Sequence, residues 1–174
     1  MKRLIRWPLG EEIVTVHKKE IMEILFHRGR MLLLDLVVIN EGDVIGEFVV
    51  PACNCEGHEP MPKMPLMRGV EVIEMAFQLL GILTAKNPVM ADFSKDKTAV
   101  AREVNGVKFS GFIKPGNNVV LQTSTEVTIE EVGGVMRIES GRIVASVDGQ
   151  KKATIGSVAI AAFDRAQAAR KVID

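Results

Sequence analysis

The sequence contains no tyrosine, which removes every mechanism that depends on a tyrosyl acid. Its histidines are only three, His17, His27 and His58, so the candidates for an imidazole base are few. The two cysteines, Cys53 and Cys55, are too few for a disulfide scaffold, and a reducing cytoplasm is the simplest location. Lys plus Arg number 22 and Asp plus Glu also 22, so the net charge is zero and gives no support to a general nucleic-acid binder. Long hydrophobic runs are missing too. The longest, Val70 to Ala85, is short for a bilayer span and contains Glu71, Glu74 and Gln78. The opening Met1-Lys2-Arg3-Leu4-Ile5-Arg6-Trp7-Pro8 is basic like a secretory leader, but its apolar stretch is too short. Neither G-x-G-x-x-G nor G-x-x-x-x-G-K-[ST] occurs, so no nucleotide cofactor is expected, and without G-x-S-x-G a serine nucleophile is not expected either. Cys53-Asn54-Cys55-Glu56-Gly57-His58 does not have the spacing of a zinc site, so no metal is expected.

What is present reads as a globular chain. Its 174 residues, 47% hydrophobic and 25% charged, predict one domain over 1–174, with a core at about 17–163 and a tail at 164–174. Apolar Ile21, Ile24 and Leu25 at helical spacing predict a short helix from His17 to Phe26. Met31 to Ile39 and Val44 to Val50 read as strands around a turn at Glu41-Gly42-Asp43. Pro51 to Arg68 carries four prolines and reads as an irregular loop. Gly69 to Lys86 is apolar on almost every side, as a helix surrounded by protein is. Lys97 to Phe109 reads as a strand with an irregularity at Asn105-Gly106. Three long extended segments follow, Val119 to Glu130, Val135 to Val147 and Lys151 to Phe163, with hairpin turns at Gly133-Gly134 and Asp148-Gly149. In the first of them Leu121, Thr123, Thr125, Val127 and Ile129 fall on one face, the alternation of a half-buried antiparallel strand. The layout predicts an α+β hot-dog fold, a curled antiparallel sheet wrapped around one long apolar central helix.

The chemistry-bearing residues concentrate around the start of that helix. Glu71, Glu74 and Gln78 form one polar stripe on an apolar cylinder. A solvent-facing stripe is the plain reading, and Glu71 suits it because the helix dipole favours an acid in the first turn. Glu74 lies deeper, where a wrapped helix must reach a cleft or an interface. Burial there would raise its pKa and make it a proton donor near neutral pH. His58 sits in a loop between Gly57 and Pro60, close in sequence to the helix carrying Glu74. Arg68-Gly69-Val70 at the helix start offers free backbone N–H groups to a carbonyl oxygen. His17 is expected to start the first helix and His27 to cap its end, both structural.

Four segments together resemble the 3-hydroxyacyl-acyl carrier protein dehydratases of fatty-acid synthesis, the FabZ type, over roughly Ile21 to Phe163. Leu25-Phe26-His27-Arg28-Gly29-Arg30-Met31-Leu32-Leu33-Leu34-Asp35 is similar to L-P-H-R-x-P-F-L-L-V-D, and Gly57-His58-Glu59-Pro60 to G-H-F-P. Met64-Pro65-Leu66-Met67-Arg68-Gly69-Val70, continuing to Glu74 and Gln78, is similar to P-x-x-P-G-V-x-x-x-E-A-x-A-Q. Val107-Lys108-Phe109 with Lys114-Pro115-Gly116-Asn117 is similar to A-R-F with V-P-G-D. The resemblance implies that His58 removes the C2 proton of a 3-hydroxyacyl thioester. Glu74 then assists loss of the 3-hydroxyl, and the Gly69 amide polarises the thioester carbonyl. It also implies acyl carrier protein as partner and a homodimer whose site combines residues of both subunits, with a hexamer as the larger assembly. No cofactor is implied.

Met64, Met67, Arg68, Gln78, Lys108 and Phe109 are the candidates for an acyl tunnel or for carrier docking. Lys63 and Arg102 could add to a basic rim. The sequence departs from the family at Glu59 (phenylalanine), Arg68 (proline) and Lys108 (arginine), and its loop before Pro65 is about two residues longer. A carboxylate at Glu59 would raise the pKa of His58. The alternatives are a hot-dog acyl thioesterase and a non-catalytic acyl-binding subunit.

Overall fold

The computed structural model describes residues 2–8, 12–90, 97–132 and 135–164, so the expected Gly133-Gly134 turn and the 164–174 tail lie outside the described residues apart from Asp164. In chain order come strands β1 (Lys2–Ile5) and β2 (Val14–His17), helix α1 (Lys18–Ile24), strands β3 (Leu36–Ile39) and β4 (Asp43–Val49), and helix α2 (Gly69–Lys86). After them come β5 (Lys97–Asn105), β6 (Lys108–Phe109), β7 (Asn118–Ser124), β8 (Val127–Val132) and β9 (Val135–Ser140). The last three are β10 (Ile143–Val147), β11 (Gln150–Ile155) and β12 (Ser157–Asp164). One sheet runs β1-β8-β9-β12-β5 and the other β2-β3-β4-β7-β10-β11-β6, with every pairing antiparallel. The expected arrangement, a curled antiparallel sheet around one long helix, is the one observed.

The three long extended segments are each two strands, not one. Each begins in one sheet and ends in the other, and so does the β5–β6 segment. The sheet is creased along a line through Thr125-Glu126, Gly141-Arg142, Gly156 and Gly106-Val107. Gly106 has φ +62°, and Gly156 donates its amide to the Asn105 carbonyl at 2.8 Å, so neighbouring strands bend together. The in–out alternation continues through the crease, with Leu121, Thr123, Thr125, Val127 and Ile129 all buried. The β10–β11 hairpin turns at Asp148-Gly149, both at positive φ as a type I′ turn requires.

Two further expectations are corrected. Met31 to Ile39 is not one strand. Gly29–Met31 is a single 3₁₀ turn and only Leu36–Ile39 pairs, because the Leu33 amide is donated to the Gln78 side chain instead of to a neighbouring strand. His27 does not cap α1, which ends at Ile24. The carbonyls of Leu25 and His27 accept from the Arg28 guanidinium at 2.6 and 2.7 Å. His17 does stand at the N-cap of that helix.

Helix α2 has the bounds expected and buries Val72, Met75, Ala76, Leu79, Leu80, Ile82 and Leu83. Each large apolar side chain so buried contributes about 1.5–3 kcal/mol. Strand β4 passes α2 at Gly46, where a Cβ would lie 2.9 Å from Leu79 Cδ1 and 3.0 Å from Leu34 Cδ2, so a larger residue would have to push these side chains aside. A stripe remains along α2 with Val70 exposed and Ile73, Glu74, Phe77, Gly81 and Thr84 half-exposed, the spacing of a face left for another helix.

Candidate active site

The start of α2 is fixed by polar side chains. The Arg68 amide donates to Glu71 Oε2 at 3.0 Å, and the Arg68 guanidinium reaches Glu71 Oε1 at 3.0 Å. Asn54, buried in the preceding loop, donates to the same oxygen at 3.2 Å and to the Arg30 carbonyl at 3.0 Å. Glu71 and Gln78 are therefore buried, and the polar stripe of α2 is not a solvent face. Beside Glu71, burial pushes the Cys55 thiol up, and the carboxylate adds to the rise. Cys53 is exposed. The first two α2 amides, Gly69 and Val70, are those a helix leaves without an internal partner.

His58 follows Gly57, whose φ of +72° suits glycine. The loop from His58 to Leu66 closes on itself. The Leu66 amide donates to the His58 carbonyl at 3.0 Å, and His58 Nδ1 lies 3.0 Å from the Leu66 carbonyl. A carbonyl only accepts, so Nδ1 carries the proton in this bond, which in a neutral imidazole leaves Nε2 as the acceptor. His58 lines an open cavity of about 650 Å³ with Leu66, Met67, Gly69, Val72, Phe109 and Ile113. The Phe109 ring lies over Gly69, where a Cβ would meet it at 2.7 Å. Glu59 is exposed and, within the described residues, makes no ion pair with His58.

Glu74 does not line this cavity. It stands two residues beyond Val72, about 200° around the helix axis, and so faces the other way. There Glu74 Oε1 lies 2.9 Å from His27 Nε2 and accepts from Gln78 Nε2 at 3.1 Å. Gln78 is itself fixed by the Leu33 amide at 2.9 Å and the Met31 carbonyl at 2.8 Å. The chain thus keeps His58, Gly69, Met67 and Phe109 together and holds Glu74 and Gln78 apart from them. Met64 is half-buried, Lys108 is exposed, and Arg68 is half-exposed while bonded to Glu71. The sequence reading missed His27 as a partner of Glu74. The available signal was its place in the first of the four family-like segments. It also missed the Ser110–Ile113 wall of the cavity, which no periodicity marks.

The FabA-like domain family matches residues 25–155. A 3-hydroxyacyl-[acyl-carrier-protein] dehydratase FabZ of Ruminiclostridium cellulolyticum is 34% identical over 137 residues, covering 76% of this chain and 87% of the relative. The dehydratase heterocomplex ApeI:P from Xenorhabdus doucetiae superposes with a TM-score of 0.63 at 14% identity, covering 88% of this chain and 97% of that one. A hot-dog-like protein from Thermanaerovibrio acidaminovorans superposes at 0.52 and 16% identity, covering 75% and 87%. These structural likenesses establish the hot-dog fold, and the match over most of the chain establishes the family. The chain belongs to the FabZ-type 3-hydroxyacyl-acyl carrier protein dehydratases.

Proposed function

We propose that the protein dehydrates 3-hydroxyacyl thioesters carried on acyl carrier protein to trans-2-enoyl thioesters, in fatty-acid synthesis. The observation that carries the reading is the place of His58, with Nδ1 held by the Leu66 carbonyl in a cavity that also presents the start of α2. His58 Nε2 takes the C2 proton. The Gly69 amide, aided by the helix dipole, holds the thioester oxygen as charge builds on it. Glu74 gives its proton to the 3-hydroxyl, which leaves as water while the C2–C3 double bond forms. No step in this sequence calls on a cofactor.

Glu74 comes to this site from a second copy of the chain, because within one protomer it faces away from His58. A homodimer is supported by the outer edge of β5, which has no partner strand among the described residues and exposes Val100 and Val104. The half-exposed α2 stripe supports the same contact, and a hexamer is the larger assembly. Exposed Lys63, Arg102 and Lys108, with half-exposed Arg68, supply positive charge for an acidic carrier. Two unpaired thiols favour a reducing compartment such as the cytoplasm.

The test is incubation with a 3-hydroxyacyl-carrier protein and mass detection of the enoyl thioester. Loss of water from the acyl group is the expected result. Absence of product at high enzyme concentration would sink the reading, and release of free carrier thiol without enoyl product would mark a thioesterase.

A further inference from the structure

His27 is the titratable group the proposed mechanism leaves unused, and its setting is specific. Its Nε2 lies 2.9 Å from Glu74 Oε1, and its Nδ1 is buried with no hydrogen-bond partner among the described residues. A proton on Nδ1 would be an unsatisfied buried donor, which is costly. The Nε2–H tautomer avoids that cost and points its one donor at Glu74. Gln78 Nε2 donates to the same carboxyl oxygen, at 3.1 Å. The Gln78 amide cannot turn over, because its own oxygen accepts from Leu33 and its nitrogen also reaches the Met31 carbonyl. Glu74 Oε1 therefore receives two donors from rigid supports.

We infer that His27 is a positioning residue for Glu74: together with Gln78 it pins Oε1 as the acceptor oxygen and obliges the acid proton to sit on Oε2. The inference rests on the dehydratase reading for its consequence, though not for its geometry. An oxygen already accepting two hydrogen bonds is a poor place for a proton. The acid therefore presents O–H from Oε2, the oxygen left for the leaving hydroxyl. When that proton moves, negative charge develops on the carboxylate, and the two donors on Oε1 strengthen as it does. His27 touches neither substrate nor reacting atom and acts only through Glu74.

The test combines turnover with a measurement that needs none. His27→Ala lowers kcat about tenfold, the worth of one lost hydrogen bond to a charged group, with KM within about twofold. His27→Gln, which keeps an amide donor at similar reach, restores most of kcat. Adding His27→Ala to Glu74→Gln produces no further loss, because the acid it positions is already gone. A KM effect alone, no rescue by Gln, or a full further loss in the Glu74→Gln background would each overturn the inference.

With three histidines in the chain, the ¹⁵N imidazole spectrum is assignable by substitution. The expected state of His27 is Nε2–H with unprotonated Nδ1, and an Nδ1–H tautomer would overturn the clamp. Should the wild-type protein fail to dehydrate any 3-hydroxyacyl thioester, the dehydratase reading falls, and the spectrum alone decides the contact between His27 and Glu74.

Discussion

The two faces of α2 carry their chemistry in opposite ways. On the cavity face, His58 is held by one loop carbonyl and lines open space. On the other face, Glu74 meets His27 and Gln78, and Gln78 is tied in turn to the backbone of Met31 and Leu33. A base that must accept a proton from substrate needs a free lone pair and room, so it can sit on a loop. An acid that must keep one proton on one oxygen needs donors on the other, and the proposed acid Glu74, half-buried, meets its two donors on supports packed into the interior. The base side should therefore be sensitive in catalysis alone, and the acid side in catalysis and stability together.

The largest effects come from removing either group. His58→Ala and Glu74→Gln should each lower kcat on a 3-hydroxyacyl thioester by about a thousandfold, within the range for general acid–base residues. Thermal unfolding should separate them from core variants, because His58→Ala costs less than about 0.5 kcal/mol. Mixing the two inactive proteins after mild dissociation tests whether the faces of two protomers meet. Random pairing makes half the dimers mixed, each with one intact site, so activity should return to about a quarter of wild type. No recovery would place base and acid in one protomer and break the comparison.

Much of this was legible beforehand, and the losses have physical causes. The bounds of α2 were readable because Gly69 and Asn87 flank an unbroken apolar cylinder. The crease was not, because Thr125 and Glu126 keep the period-2 alternation while the backbone turns from one sheet into the other. Leu32, Leu33 and Leu34 read as strand because burial looks the same in either state, yet the Leu33 amide goes to a helix side chain. For the site, His58 and Glu74 were singled out by residue type and context. Their separation across α2, and the contact of Glu74 with His27, are long-range facts that no local pattern encodes.

Stability should expose the asymmetry directly. Gln78 is 1% exposed, and its amide satisfies the Leu33 N–H and the Met31 carbonyl. Gln78→Met keeps the volume and leaves both backbone groups unpaired, at about 1–3 kcal/mol for each unsatisfied group. Chemical denaturation should give a loss of roughly 2–6 kcal/mol with unchanged m-value. A loss no larger than that of His58→Ala would mean the acid side is not built into the interior.

The Gly69 amide, proposed to hold the thioester carbonyl, can be removed without breaking the helix. Gly69 is the first residue of α2, where proline is tolerated, and Arg68 already has the extended φ −71°, ψ 141° that precedes proline comfortably. The obstacle is the Phe109 ring over Gly69, so the comparison is made in a Phe109→Ala background. Gly69→Pro should then run about a hundred- to a thousandfold slower than Gly69→Ala, the cost of one lost oxyanion donor, at similar stability. Equal rates would remove the Gly69 amide from the mechanism.

The smallest effect lies away from both faces and serves as their control. Arg137 donates to Glu139 at 2.6 Å and to Glu103 at 2.9 Å, across β9 and β5. Hydrogen bonding from Arg137 holds the Glu139 carboxyl below its ordinary range. Glu103 is lowered by Asn105 and then by Arg137. A carboxyl whose folded pKa lies below its unfolded value of about 4.3 binds protons more weakly when folded. Its contribution is therefore complete above that pH and is lost as pH falls through the folded value. Arg137→Met should cost on the order of 1 kcal/mol at pH 7 and flatten the fall in stability below about pH 4. Its kcat at pH 7 should stay within about twofold of wild type, since no group on either face of α2 is touched. An acid-stability profile unchanged by the substitution would remove this network from the pH dependence. A large fall in kcat would mean that the outer face of the sheet reaches the site, and the contrast between the two faces of α2 would then be incomplete.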